Sequence, residues 1–196
     1  MSLNPKIVVV GVGNVLFRDE GVGVFAAKFL EANYTFTPPI EIVDGGTLGF
    51  GLMGYFHEYE RVVIVDTVSV EDEPGALYRL PSDVLMGMGS YRKTAHEVEV
   101  LEMLEICSLL EKIADVVVIG IVPEDIQTVQ IGLSKPIEEA FSALIAAIVR
   151  EVESYGVQVA HKLEQVPLKE VVVSFLGSYQ GTAVQSEAAW IRSSMP

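Results

Sequence analysis

The segment KIVVVGVGNVLFRDEGVG, residues 6–23, is the part of the chain that decides the fold. Lys6–Gly11 is a short, uninterrupted apolar run that ends in glycine, the pattern of a buried parallel strand. Gly21–Asn33 then places apolar side chains at helical spacing. A strand, a glycine-containing turn and a helix in this order predict the first unit of an α/β protein. The turn between them carries Asp19 and Glu20, two carboxylates that call for a chemical explanation.

The alternation of strands and helices continues along the chain. Further strands are predicted at Ile40–Val43, Arg61–Thr67, Ala76–Leu80 and Asp115–Val122, and helices at Phe50–Tyr59, Glu97–Lys112 and Lys135–Tyr155. Pro81–Lys93 is predicted as a loop. Ser134 suits the N-cap of the last helix, and Pro136 suits its first turn. The pattern predicts a three-layer α/β/α sandwich around a mostly parallel sheet.

The length and composition predict a single domain with a C-terminal extension. Half of the 196 residues are hydrophobic, which is enough to form one substantial core. We assign residues 1–163 to the α/β domain, because the rhythm of strands and helices stops there. We expect residues 164–196 to be an extension that is either flexible or packed on a partner chain, with a strand at Val171–Leu176.

The charge and the cysteine content exclude several classes of function. Thirteen basic residues against 27 acidic ones give a formal charge of −14, so the chain lacks the cationic footprint of a nucleic-acid-binding protein. The single cysteine, Cys107, cannot form an internal disulfide or a Cys-x-x-Cys metal knuckle. The uncharged run Ala140–Val149 is too short to span a bilayer, and the N-terminus lacks a signal-peptide pattern. We therefore expect a cytoplasmic protein without membrane association.

Polar side chains follow the predicted strands at one edge of the sheet, where open α/β sheets bind their ligands. The residues that follow the first two strands are Asn14, Asp19 and Glu20, and then Asp44 with the turn Gly45-Gly46-Thr47. Asp66 ends the third strand, and His96 comes after the predicted loop. Glu20, Asp66 and His96 could therefore converge. Two carboxylates and an imidazole suit a divalent ion such as zinc or nickel.

Each of these residues also has a structural explanation, and the pattern alone leaves it open. Glu20 could stabilise the positive end of the following helix. Asp66 could cap a turn at the strand end, and His96 could be a surface residue at a helix start. His57 and His161 have no supporting carboxylate pattern and are interpreted as packing or surface residues.

The glycines of the first turn also permit a dinucleotide-binding interpretation. Gly11–Leu16 reads G-x-G-x-x-L, without the third glycine of the dinucleotide fingerprint. Asp19 and Glu20 would repel a pyrophosphate. Asp44 stands where a ribose-binding acid would sit, so this alternative stays open. No Walker-type P-loop and no G-x-S-x-G nucleophile elbow occur in the sequence.

Four segments, in this order, resemble the hydrogenase maturation endopeptidase family. They are GVGNVLFRDEGVG (11–23), VDGGTLG (43–49), VVIVDTV (62–68) and TAHE (94–97). Each segment is weak evidence alone, but the ordered set is specific, and the resemblance covers roughly residues 5–160. The family implies an α/β/α fold and a protease that removes a C-terminal extension from the precursor of a nickel–iron hydrogenase large subunit.

The resemblance also implies a set of site residues. Glu20, Asp66 and His96 match the residues that contact metal and carry the reaction in the family. The ion would be nickel carried by the substrate, with no permanent cofactor. The expected contacts with the precursor are Asn14, Asp19, Gly45, Gly46 and Thr47. Two other functions remain open: a non-catalytic nickel chaperone with the same ligands, and a nucleotide-binding oxidoreductase.

Overall fold

The computed structural model describes residues 5–47, 49–87 and 114–176. The strands of this part are β1 (Ile7–Val12), β2 (Tyr34–Thr37), β3 (Glu41–Gly46), β4 (Arg61–Thr67), β5 (Leu77–Pro81), β6 (Asp115–Ile121) and β7 (Gln158–His161). The helices are α1 (Val22–Asn33), α2 (Met53–Glu58), α3 (Ser82–Gly87), α4 (Lys135–Ser154) and α5 (168–176). Short 3-10 turns, Arg18–Gly21 and Gly49–Leu52, precede α1 and α2.

The central sheet has the strand order β3-β1-β4-β6-β5. The pairs β1–β3, β1–β4 and β4–β6 are parallel, and only the edge strand β5 runs antiparallel, against β6. A second sheet of β2 and β7, two antiparallel strands, was not predicted. The expected mostly parallel sheet is confirmed.

Both faces of the sheet are covered, which explains why every residue of β1 is buried. On one face, alternate strand residues such as Val9 and Val63 pack with Phe25 of α1 and Ile148 of α4. On the other face, the intervening residues pack with Leu52 and Phe56 of the segment that includes α2. Helix, sheet and helix form three layers, as predicted. No described helix has the length and apolar character that crossing a bilayer requires.

Two predictions of local structure are wrong where the structure describes them. Residues Ser82–Gly87 are helical rather than part of a loop. The strand predicted at Val171–Leu176 is a helix instead, because Leu168, Val171, Val172 and Phe175 recur at helical spacing and pack on the core. The predicted helix Glu97–Lys112, which contains Cys107, lies outside the described residues, and the boundary at residue 163 stays a prediction.

Candidate active site

The strand order creates a ligand crevice beside β1. From β1 the chain passes to its neighbour β3 and then crosses to its other neighbour β4. In open α/β sheets, ligands bind at such a switch point, beyond the carboxyl ends of the strands. The segment that follows β1, residues 13–21, is called the first loop. The segment that follows β6, residues 122–134, is called the second loop.

Glycines in the first loop and on either side of it allow backbone to pack directly on backbone. A Cβ atom at Gly13, where φ is 133°, would lie 1.8 Å from the carbonyl oxygen of Glu20. A Cβ at Gly23 would lie 2.1 Å from the carbonyl oxygen of Val65, and one at Gly11 would lie 2.1 Å from that of Gly23. The close approach of helix to sheet thus depends on Gly11 and Gly23. These contacts hold the start of α1 against β1 and β4 and keep the two ends of the first loop close together.

Asp19 joins the two loops through a fully buried carboxylate. Its Oδ2 accepts hydrogen bonds from the backbone N–H groups of Glu124 (3.1 Å) and Asp125 (2.9 Å). Its Oδ1 accepts one from the N–H of Ser134, at 2.6 Å. The carboxylate therefore holds the second loop at both ends. A direct contact of Asp19 with a substrate stays a prediction.

Further contacts around Asp19 complete this connection. Arg18 Nη1 donates to Oδ2 of Asp125 at 3.0 Å, and main-chain hydrogen bonds link Gln130 to Leu16 and Arg18. Hydrogen bonds from Thr128 are the main reason that the pKa of Asp125 is held well below its usual range. We call these contacts between residues 16–19 and 124–134 the loop clamp. The clamp fixes the residue that precedes Glu20.

Ser134 occupies the N-cap of α4, as predicted, but its side chain does not form the cap. The hydroxyl oxygen is buried without a hydrogen-bond partner among the described residues. Asp19 binds the N–H of Ser134 instead, and a carboxylate at this end of a helix is favourable. The expected capping by the serine hydroxyl is therefore wrong, because a buried carboxylate from a distant part of the chain serves this helix start.

Glu20 and Asp66 lie at the same edge of the sheet. Glu20 is partly buried in the 3-10 turn, which packs against β4. Asp66, at the carboxyl end of β4, is 4% exposed, and its Oδ1 accepts a hydrogen bond from the N–H of Thr67 at 2.7 Å. This hydrogen bond ties the carboxylate of Asp66 to the backbone at the end of β4.

The third predicted ligand, His96, lies outside the described residues. Within residues 5–47, 49–87 and 114–176, no group of three or more His, Cys, Asp and Glu side chains is arranged to hold a metal ion. A triad of Glu20, Asp66 and His96 needs the histidine, so it stays a prediction. Of the other histidines, His57 is exposed on α2, and His161 lies in β7 with its ring against Tyr34.

A groove of about 310 Å³ opens between the ends of β1 and β3, and we call it the β1–β3 groove. It is lined by residues of the first loop, of α1 and α5, and of Asp44–Thr47 at the end of β3, which we call the β3 turn: Gly13, Asn14, Val15, Leu16, Val24, Asp44, Gly46, Thr47 and Phe175. The N–H of Gly13 donates to the carbonyl of Gly46 at 2.9 Å, which ties the two walls together. Asn14, Gly46 and Thr47, all predicted to contact substrate, line the groove.

Gly45, the remaining residue of the predicted substrate set, lies beneath the groove. It is buried, and a Cβ atom there would lie 2.7 Å from Cγ1 of Val10 and 3.1 Å from the carbonyl oxygen of Gly11. Gly45 thus allows the β3 turn to lie against β1. Contact of any of these residues with a substrate stays a prediction.

This arrangement defines an α/β protein with a ligand crevice at its switch point, a pair of carboxylates at the crevice and a groove beside it. Residues 24–151 match the family model described as hydrogenase maturation protease, and the chain belongs to this family. The chain is therefore an endopeptidase of hydrogenase maturation, and the predicted resemblance is confirmed. Membership also removes the reason to interpret Gly11–Leu16 as part of a dinucleotide site.

Individual relatives agree with this assignment. The chain is 30% identical over 162 residues to the hydrogenase expression/formation protein HupD of Rhizobium leguminosarum bv. viciae, covering 82% of this chain and 80% of that protein. It is 26% identical to the hydrogenase 2 maturation protease of Escherichia coli, covering 78% of this chain and 94% of the relative. The solved structure of the hydrogenase maturating endopeptidase HybD from E. coli superimposes with a TM-score of 0.74 at 26% identity, covering 80% of this chain and 98% of that one.

Proposed function

We propose that this protease removes the C-terminal extension from the precursor of a nickel–iron hydrogenase large subunit, after nickel has been inserted. The observation that carries the proposal is the position of Asp66, buried at the carboxyl end of β4, with Glu20 on a turn that packs against the same strand. The β1–β3 groove next to the crevice offers space for a peptide. The single cysteine suits a reaction in a reducing compartment such as the cytoplasm.

Nickel enters this reaction as part of the substrate. Carboxylates and imidazoles are suitable ligands for it, and we assign that role to Glu20, Asp66 and His96. Three protein ligands leave a coordination position open, so the ion can stay attached to the precursor while the protease contacts it. A precursor without nickel would lack the ion that these side chains bind. The enzyme would then cleave only a metallated precursor.

The chemistry is hydrolysis of one peptide bond. The oxygen of a water molecule bonds to the scissile carbonyl carbon, the C–N bond breaks, and the leaving amine takes up a proton. A carboxylate near the bond can accept the proton from the attacking water, a contribution of roughly 100- to 10,000-fold in rate. The positive charge of the nickel ion carried by the precursor, if it lies close to the scissile bond, would polarise the scissile carbonyl. Glu20 and Asp66 are the candidates for the base.

The test mixes the purified protein with its precursor, either loaded with nickel or nickel-free, and follows the extension by mass spectrometry. We expect loss of the extension from the nickel-loaded precursor alone. Equal cleavage of both forms would reject the requirement for nickel while leaving the protease assignment in place. If neither form is cleaved by the protein, the proposed substrate is wrong.

Two variants and a matched control locate the site. Asp66→Asn and Glu20→Gln remove a negative ligand with little change of size, and each should lower the cleavage rate roughly 100-fold or more. Glu124→Gln removes an exposed carboxylate at the same edge of the sheet and should cleave like the wild type. Near-normal rates in both Asp66→Asn and Glu20→Gln would contradict the assigned site.

A further inference from the structure

One wall of the β1–β3 groove comes from the C-terminal part of the chain. Phe175 lines the groove together with Leu16 of the first loop and Val24 of α1. The matched family segment ends at residue 151, well before α5 begins. The part of the chain that supplies Phe175 therefore lies outside the matched segment.

The chain that leads into α5 is fixed to the end of α1. The side chain of Asn33 is fully buried. Its Oδ1 accepts a hydrogen bond from the N–H of Val166 at 2.6 Å, and its Nδ2 donates to the carbonyl of Val166 at 3.0 Å. The carbonyl of Asn33 also accepts from the N–H of Lys162 at 2.8 Å. The amide of Asn33 thus binds both backbone groups of Val166, as a neighbouring β-strand would. The chain just before α5 is therefore anchored to the end of α1.

The helix itself holds Phe175 in a defined position. Val171 is buried, and Leu168 and Val172 pack against the same core. The ring of Phe175 meets that of Phe25 edge to face, with 5.3 Å between the ring centroids. Phe175 is thus part of the packed structure and at the same time a lining residue of the groove.

The lining indicates which part of a peptide the groove takes. Of the described residues that line it, Asp44 is the only charged one, so a free terminal carboxylate would meet repulsion there. Asn14 and Thr47 can hydrogen-bond a peptide backbone. Leu16, Val24 and Phe175 favour an apolar side chain. The volume of about 310 Å³ is near the lower limit of ligand pockets, about 300–1,000 Å³, so a short internal segment fits better than a long one.

We propose that Phe175 is a specificity-determining residue, the wall against which one apolar side chain of the precursor packs close to the scissile bond. This inference rests on the proposed function. Phe175 touches no reacting group in this scheme, so it acts on binding of the precursor. Loss of the wall should raise KM about tenfold and leave kcat nearly unchanged, since an apolar contact of this size is worth about that factor.

The test compares Phe175→Ala and Phe175→Leu with a matched control, Val173→Ala. Val173 lies on the same helix but is 50% exposed and does not line the groove. Kinetics use the nickel-loaded precursor, and circular dichroism checks that each variant is folded. We expect a raised KM for Phe175→Ala, a smaller rise for Phe175→Leu and wild-type values for Val173→Ala.

A scan of the substrate gives the second readout. Each apolar residue beside the scissile bond of the precursor is replaced by alanine, one at a time. With the wild-type protease, one replacement should lower kcat/KM about tenfold. With the Phe175 variants, that same replacement should lower kcat/KM by a much smaller factor, because the Phe175 ring that contacts this substrate residue is already lost or altered.

The outcomes separate the two proposals. Suppose that the wild type cleaves the precursor, but that the same substrate replacement lowers kcat/KM equally in the wild type and in both Phe175 variants. The role proposed for Phe175 is then wrong, and the protease assignment stands. If Phe175→Ala is unfolded, the comparison of Phe175→Leu with Val173→Ala decides by the same criterion. If the wild type cleaves no precursor, the proposed function fails and this inference fails with it.

Discussion

Substitution of Asp19 is the sharpest test of the loop clamp. In Asp19→Ala, three backbone N–H groups of the second loop lose a buried carboxylate acceptor. Hydrogen bonds to a charged group contribute about 1.5–3 kcal/mol each, but the loop can relax and admit water. We therefore expect the free energy of unfolding to fall by about 3–5 kcal/mol, a large part of the 5–15 kcal/mol typical of a domain.

Asp19→Asn should have a smaller effect for a geometric reason. Its single amide oxygen can take the place of Oδ2, which accepts from both Glu124 and Asp125. The amide NH₂ group would then face the N–H of Ser134, donor against donor. This arrangement should cost about 2 kcal/mol.

The assay is urea unfolding followed by circular dichroism, with Glu139→Gln as the control. Glu139 is exposed on α4 with Lys135 at 3.7 Å, a surface pair worth about 0.3–0.5 kcal/mol. If Asp19→Ala is no less stable than Glu139→Gln, the clamp does not stabilise the fold and our reasoning about the buried carboxylate is wrong.

Three further predictions concern stability. Asn33→Ala should lower the free energy of unfolding by about 2 kcal/mol, because two hydrogen bonds to residue 166 are lost; an unchanged urea midpoint would show that α5 is not anchored as described. Gly23→Ala should fold poorly, since its methyl group would meet two backbone oxygens, whereas Gly54→Ala on α2 meets nothing within 4 Å and should gain about 0.5–1 kcal/mol; similar soluble yields and midpoints would contradict this. Hydrogen bonding by Arg79, at 2.6 Å, is the main cause that lowers the pKa of Glu151. The ionised Glu151 should therefore contribute its full stabilisation of the fold above the pKa of an unfolded-state glutamate, around pH 4. This contribution should be lost as the pH falls through the lower pKa that Glu151 has in the folded protein. The unfolding midpoint of the wild type should exceed that of Glu151→Gln above this pH range, and the difference should shrink as the pH falls. A difference that stays constant with pH would contradict the stabilising role of the ionised Glu151.

The strands were predictable because burial on both faces leaves a plain signature. The prediction of Arg61–Thr67 has the bounds that the structure shows, since a strand covered on both sides has a continuous apolar run, here Val62–Val65. The C-terminal run VVVSFL was not predictable in the same way. Its β-branched residues favour a strand, but packing of Leu168, Val172 and Phe175 on the core outweighs that preference.

The location of the site was predictable from topology, but its supporting contacts were not. Residues that follow parallel strands meet at one edge, so Glu20 and Asp66 could be placed together from their positions alone. The role of Asp19 could not be predicted from the sequence, because its hydrogen-bond partners are main-chain N–H groups, which almost every residue type possesses. Phe175 lies in a segment that the sequence predicts as a strand, and only the fold brings it to the groove.

The backbone contacts of Gly11, Gly13 and Gly23 have a consequence for genetics. In a core of interlocking side chains, a substitution that is too large can often be rescued by a smaller residue opposite it. Here the nearest atoms are carbonyl oxygens of Gly23, Glu20 and Val65, which no substitution at those positions can remove. Substitutions of Gly23, Glu20 or Val65 should therefore not suppress the effect of a larger residue at these glycines. A selection for restored protease activity should return true revertants.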